Sequence, residues 1–369
     1  MKGVAMLEGP KVPNEKEYEK VLEFLNHKLR PEHGWSIDKE YPTALNLANR
    51  HNMNIVVSDD KIVSHAVLKP LIVKSPHLIY KIGAIGSVVT DEDYRNQGLS
   101  HKILNESLSL AKQQNCDVAI LWTNLYDFYR KLGFELGGYE ISLTFERQMA
   151  YDYTQYKYSK DKNVSPEALA KIYSQHSVAT IRSQDEFRKF LAIPNTQLYT
   201  IWNLNGTLAG YAIEGKGADL SNYIHEWGGS VTAIKNLLGY ISHVKNHPFN
   251  FIAPKHSVNL INELKKYADF VNEGYLGMIR ITNFDGLAMK IKKAFRNVGV
   301  SDFVFEKNQD SILFGCNGDL YTIESEKDLV PLLFGPIDFD TQDIFKAETA
   351  QKLKTLLPLP LWIWGWDSV

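Results

Sequence analysis

Between Leu78 and Gln114 the hydrophobic pattern changes period within a few residues. Leu78–Thr90 is an apolar, β-branched run with Gly83 and Gly86 inside it, which reads as a strand with a bulge or a close backbone approach. Asp91 to Gly98 is polar. From about Gln97 to Gln114, Leu99, Ile103, Leu104, Leu108 and Ala111 then recur at helical spacing. A strand feeding an amphipathic helix through a short loop must lay that helix on a sheet, so a mixed α/β layer fold is predicted.

The flanking pattern extends this. A helix is predicted over 14–29, strands at Asn54–Val57 and Ile62–Leu68 joined by a turn at Ser58–Lys61, a strand at Val118–Trp122, a short helix at Phe128–Leu132 and a strand at Phe134–Phe145. Residues 151–164 are polar and read as a linker. The order then restarts. It gives helices near 165–174 and 183–191, a hairpin turned by Asn205-Gly206, a strand at Tyr223–Trp227, a helix over 231–245, a strand at Phe249–Ala253, a helix over 256–267 and a strand at Phe270–Ile281. The same order twice suggests a duplicated unit. Residues 284–369 read as a small α+β module with three short strands. At 369 residues, two to three domains are expected, and the divisions fall at 1–150, 151–283 and 284–369.

The loop carries chemistry. Arg95-Asn96-Gln97-Gly98-Leu99-Ser100 opens the helix. Backbone N–H groups at a helix start are unpaired and carry the positive end of the helix dipole, and Gly98 lets the backbone close on a bound group, as a pyrophosphate would require. Taken alone, a strand–turn–helix with one surface Arg fits equally well. Farther on stands Phe128-Tyr129-Arg130-Lys131-Leu132-Gly133-Phe134. Together the two segments resemble the signatures of the GNAT superfamily of acyl-CoA-dependent N-acetyltransferases, Ser100 being a small departure at the last position of the first. The resemblance covers residues 1–150 and implies that acetyl-CoA is the co-substrate. It also implies that the Val88, Val89 and Thr90 backbone binds the pantetheine arm, that Arg95, Asn96, Gln97, Gly98, Leu99 and Ser100 hold the pyrophosphate, and that Thr123 and Asn124 line the far side of the arm. Tyr129 would protonate the departing sulfur; a phenol is protonated at neutral pH and can serve as a general acid.

The second repeat has no such loop: its strand end reads Ile224-His225-Glu226-Trp227-Gly228-Gly229-Ser230. The whole chain resembles the "enhanced intracellular survival" type of acetyltransferase. This implies tandem GNAT-like domains, the second degenerate, followed by a sterol-carrier-like α+β domain. In that group the C-terminal carboxylate takes the proton of the acceptor amine; here that is Val369, with Asp367 as the fallback. The tail suits docking. Trp362, Trp364 and Trp366 fall in the last eight residues, and leaving them in water forfeits roughly 1.5–3 kcal/mol each. Pro358 and Pro360 favour an extended path.

Net charge is −2, unlike a general nucleic-acid binder, so the partner is expected to be a small-molecule or peptide amine and no nucleic acid. Two separated cysteines, Cys116 and Cys316, suggest neither a disulfide framework nor a metal site. No apolar run of signal-peptide or membrane-span length occurs, so a cytoplasmic location without membrane partners is expected. Trp35, on a loop, is the candidate that stacks on the acceptor, although a lone loop Trp more often serves as a packing residue. The alternative to an enzyme is a non-catalytic acyl-CoA or lipid-binding protein, and a homo-oligomer is a further possibility for the apolar tail.

Overall fold

The computed structural model describes residues 7–309, 311–337, 339 and 344–369. Two large mixed sheets and one small one carry the helices on their faces. The first part of the chain contributes β1 (Leu7–Lys11), α1 (Glu15–Leu29), β2 (Met53–Ser58), β3 (Lys61–Lys74), β4 (Ile79–Thr90), α2 (Leu99–Gln113), β5 (Val118–Leu121), α3 (Tyr126–Arg130), β6 (Glu135–Gly137) and β7 (Glu140–Phe145). Next come β8 (Tyr156–Lys160), α4 (Pro166–Tyr173), β9 (Ala179–Thr180), α5 (Gln184–Leu191), β10 (Gln197–Asn203), β11 (Leu208–Lys216), β12 (Asp219–Gly229), α6 (Val231–Lys245), β13 (Phe249–Pro254), α7 (Val258–Leu264), β14 (Phe270–Gly274) and β15 (Gly277–Ile281). The remainder holds α8 (Phe284–Asn297), β16 (Phe303–Lys307), β17 (Ile312–Cys316), β18 (Asp319–Ile323), α9 (Leu329–Phe334) and α10 (Ala347–Lys354).

The first sheet runs β1-β2-β3-β4-β5-β15-β6, with β9 pairing on β3, and the second runs β8-β10-β11-β12-β13-β7-β14. The two orders correspond strand for strand, including the parallel step, β4 with β5 and β12 with β13. Each sheet, however, takes its sixth strand from the other half of the chain. The strands expected at 134–145 and 270–281 are each broken. Gly138, at φ +72°, separates β6 from β7, and Tyr275-Leu276 separates β14 from β15. β7 then inserts between β13 and β14, and β15 between β5 and β6. The sheets therefore do not follow the division at 150. The polar stretch 151–164 is also more than a linker. Within it β8 forms the edge of the second sheet, with Tyr158 stacked on Tyr240 at 5.0 Å.

One continuous core joins both sheets, the small sheet and the tail. Trp362, Trp364 and Trp366 are at most 1% exposed. Cys116 and Cys316 are free and buried. Among the described residues no helix is long and apolar enough to cross a membrane.

Candidate active site

Strand β4 positions the site by parting from its neighbour. It pairs with β5 only through Ile82, Gly83 and Ala84. Farther along it pairs with β3 alone, where the register slips so that Ser87 and Val88 face the single residue Ala66. Ser87 takes φ +48° in this bulge. Its carbonyl meets Nδ1 of His65 at 2.9 Å, and burial pushes His65 down to about 4, so this ring is neutral and its Nδ1–H donates. Val88 and Val89 are half-buried beside the opening, as a strand edge free to pair with an extended ligand must be. Thr90 is buried, its hydroxyl bonded to Ser64 at 2.8 Å and Ser100 at 2.9 Å. Ser100 thus ties the first turn of α2 to the end of β4.

The loop then turns through an Asp91-capped 3₁₀ turn into α2. Gly98 precedes the helix at φ +74° with nothing within 4 Å of where a Cβ would stand, so glycine is required by the backbone and not by crowding. No side chain caps α2. By contrast α1, α4, α5, α6 and α8 are capped by Asn14, Ser165, Ser183, Ser230 and Asn283. Four first-turn N–H groups without a cap, at an exposed loop, make an anion cradle. Arg95, Asn96 and Gln97 are exposed around it, Arg95 pairing with Glu92 at 2.9 Å.

Opposite, the β5–α3 loop is exposed, and Thr123 Oγ1 accepts from the Leu125 N–H at 3.0 Å beside exposed Asn124. Tyr129 on α3 is 7% exposed, packed edge-on to Phe128 and Phe134. Burial raises its pKa, so the phenol keeps its proton at neutral pH.

The tail reaches this strand. Val369 lies on Gly86 so closely that a Cβ there would fall 2.5 Å from the Val369 backbone carbonyl carbon. Asp367 cannot serve as the fallback base, since both its oxygens accept from Arg182 and the pair is buried. Trp35 is held away from free use: its indole donates to Glu40 at 2.6 Å and its ring stacks on His33 at 5.1 Å. His225 is wholly buried on the Gly215 carbonyl, and Glu226 is bound to Arg182.

Residues missed in the sequence are Arg182 and Lys216. Arg182 stands before a capping serine and Lys216 in a Gly-Lys-Gly turn, both of which read as surface punctuation.

Residues 11–137 match the family described as Acetyltransferase (GNAT) domain. No curated protein matches the sequence. Among solved structures, a GCN5-related N-acetyltransferase from Anabaena variabilis ATCC 29413 aligns at TM-score 0.69 and 14% identity, covering 99% of this chain and 100% of the other. A conserved protein of unknown function from Enterococcus faecalis V583, described as a probable N-acyltransferase, aligns at TM-score 0.67 and 16% identity with the same coverage. Eis1 from Mycobacterium abscessus aligns at TM-score 0.61 and 10% identity, also over 99% and 100%. Residues 11–137 are thus similar to a GNAT acetyltransferase domain, and the mixed α/β fold is shared along nearly the whole chain with these structures.

Proposed function

We propose that this protein is an acetyl-CoA-dependent N-acetyltransferase acting on a primary amine of a small molecule or peptide. The observation that carries the reading is the convergence on β4 of an uncapped α2, a bulged and unpaired strand edge, buried Tyr129 and the seated tail. In this reading the N–H groups of Gly98 to Ser100, with Arg95 to Gln97 around them, hold the pyrophosphate. The Val88 to Thr90 edge takes the pantetheine arm, and Thr123 and Asn124 flank it. The amine nitrogen attacks the thioester carbonyl, and the Val369 carboxylate accepts its proton. The tetrahedral adduct collapses with cleavage of the C–S bond, and Tyr129 protonates the sulfur. This base requires that the chain end at Val369, which the intact mass of the purified protein reads directly.

The matched strand orders support reading the halves as tandem domains. The second differs where a coenzyme would bind, because Ser230 already caps α6. Residues 284–369, a helix followed by three strands and further helices, are read as the sterol-carrier-like module.

The test is thiol release from acetyl-CoA with a panel of amines, polyamines, aminoglycosides and Lys peptides. Tyr129→Phe should leave acetyl-CoA binding intact and lower kcat by about 10²-fold. Acetyl-CoA binding without thiol release on any amine would replace the enzyme by a binding protein, and unchanged turnover in Tyr129→Phe would remove that residue from the chemistry.

A further inference from the structure

The second half of the chain holds a cluster of buried charge that the proposed reaction does not use. Arg182, Glu226 and Asp367 side chains are 0%, 0% and 3% exposed. Arg182 Nη1 and Nη2 meet the two Glu226 oxygens at 2.6 and 2.8 Å, and its Nη2 meets Asp367 Oδ2 at 2.7 Å. One guanidinium between two carboxylates leaves an excess negative charge. Lys216 lies within electrostatic reach of Asp367 and Glu226. It is 1% exposed and donates to the carbonyls of Gly365 at 3.0 Å and Ser368 at 2.5 Å, and to the Ser368 hydroxyl at 3.2 Å, with the Tyr41 ring 4.6 Å from Nζ. Such charges are kept in a dry interior only when paired and fully bonded.

The cluster has direction. Arg182 follows β9, which is stitched to β3 of the first sheet. Lys216 ends β11 and Glu226 lies on β12, where β12 has left β13 beyond Ile224. His225, next to Glu226, packs directly against Gly365. Trp364 donates its indole N–H to the Val178 carbonyl at 3.1 Å, and Trp366 stacks on Phe190 at 5.5 Å. The tail residues these groups hold lie between Trp364 and Ser368, immediately before Val369.

We propose that Lys216 and Arg182 are positioning residues: they latch the tail from Gly365 to Ser368 into the second sheet and so fix Val369 against Gly86. The inference deepens the proposed function, resting on Val369 acting in the first-half site. The second half thereby serves the reaction through the tail and not through a coenzyme.

The test uses the full chain with Lys216→Met, a neutral side chain of similar length, and Arg182→Lys, which keeps the charge but loses the fork. Two quantities are read: amide hydrogen exchange of peptides covering 361–369, with β13 and α2 peptides as the reference for overall folding, and kcat against the KM for acetyl-CoA. The latch predicts that tail exchange rises about tenfold or more relative to the reference peptides in both variants. It also predicts that kcat falls while the acetyl-CoA KM holds. Tail exchange that stays in step with the reference peptides in both variants overturns the latch. Faster tail exchange with unchanged kcat upholds the latch and instead overturns Val369 as the base.

Discussion

The two halves of this molecule have the same strand order but treat the same place in the fold in opposite ways. In the first, β4 leaves β5 after Ala84, α2 has no cap, and only the terminal Val369 reaches β4, at Gly86. In the second, β12 leaves β13 after Ile224, Ser230 caps α6, and the chain's own tail packs on His225 and Glu226. In the proposed reading, the place that takes a coenzyme in one half receives a segment of the chain's own tail in the other.

The comparison can be broken in several places, most severely on β4. Gly86→Ala puts a methyl 2.5 Å from the Val369 backbone carbonyl carbon, and the tail must move. A drop in kcat of about 10- to 100-fold with an unchanged acetyl-CoA KM is expected, on the scale of a lost general base. At the helix starts, Gly98→Ala forces an alanine to φ +74° and costs about 1–2 kcal/mol, weakening acetyl-CoA binding by about tenfold. Isothermal titration reads this directly. The matching change in the second half, Ser230→Ala, should cost about 1 kcal/mol of stability by denaturant unfolding and leave acetyl-CoA affinity untouched. If Ser230→Ala weakened binding as much as Gly98→Ala, the functional difference between the halves would be gone.

The smallest effect concerns pH. Burial pushes Lys216 down to about 7, against the pull of Asp367 and Asp219, with Arg182 and Glu226 also facing it. In the unfolded chain a lysine titrates near 10.4, so between these values the unfolded state binds more protons. Stability contributed by Lys216 is therefore full above about 10.5 and is lost as pH falls through about 7. The Tm difference between the native chain and Lys216→Met should move in favour of the native chain by about 1–2 °C per unit as pH rises above 7. A pH-independent difference would mean that the buried ammonium is not titrating there.

Elements governed by local pattern were legible in the sequence. Tyr18, Val21 and Leu25 form the buried stripe of α1, and the Asp59-Asp60 turn joins β2 to β3. The loop before α2 was legible because an uncapped helix start, a glycine at positive φ and a preceding strand are all short-range features. The exchange of β7 and β15 was not. Alternation marks Ile141 and Leu143, or Ile279 and Ile281, as strand residues but carries nothing about which strand lies beside them, since pairing is decided across more than a hundred residues. Arg182 and Lys216 were invisible for a related reason. A charged residue next to a helix cap or between glycines reads as solvated until the tail, far along the chain, closes over it.

In the proposed reading, the second half acts on first-half chemistry by way of the tail. The most direct measurement is kcat, beside acetyl-CoA affinity, for the chain lacking Ser368 and Val369. If the tail supplies the base, kcat falls by about 10²-fold with acetyl-CoA affinity within about twofold of the intact chain. Full turnover without these two residues would contradict it.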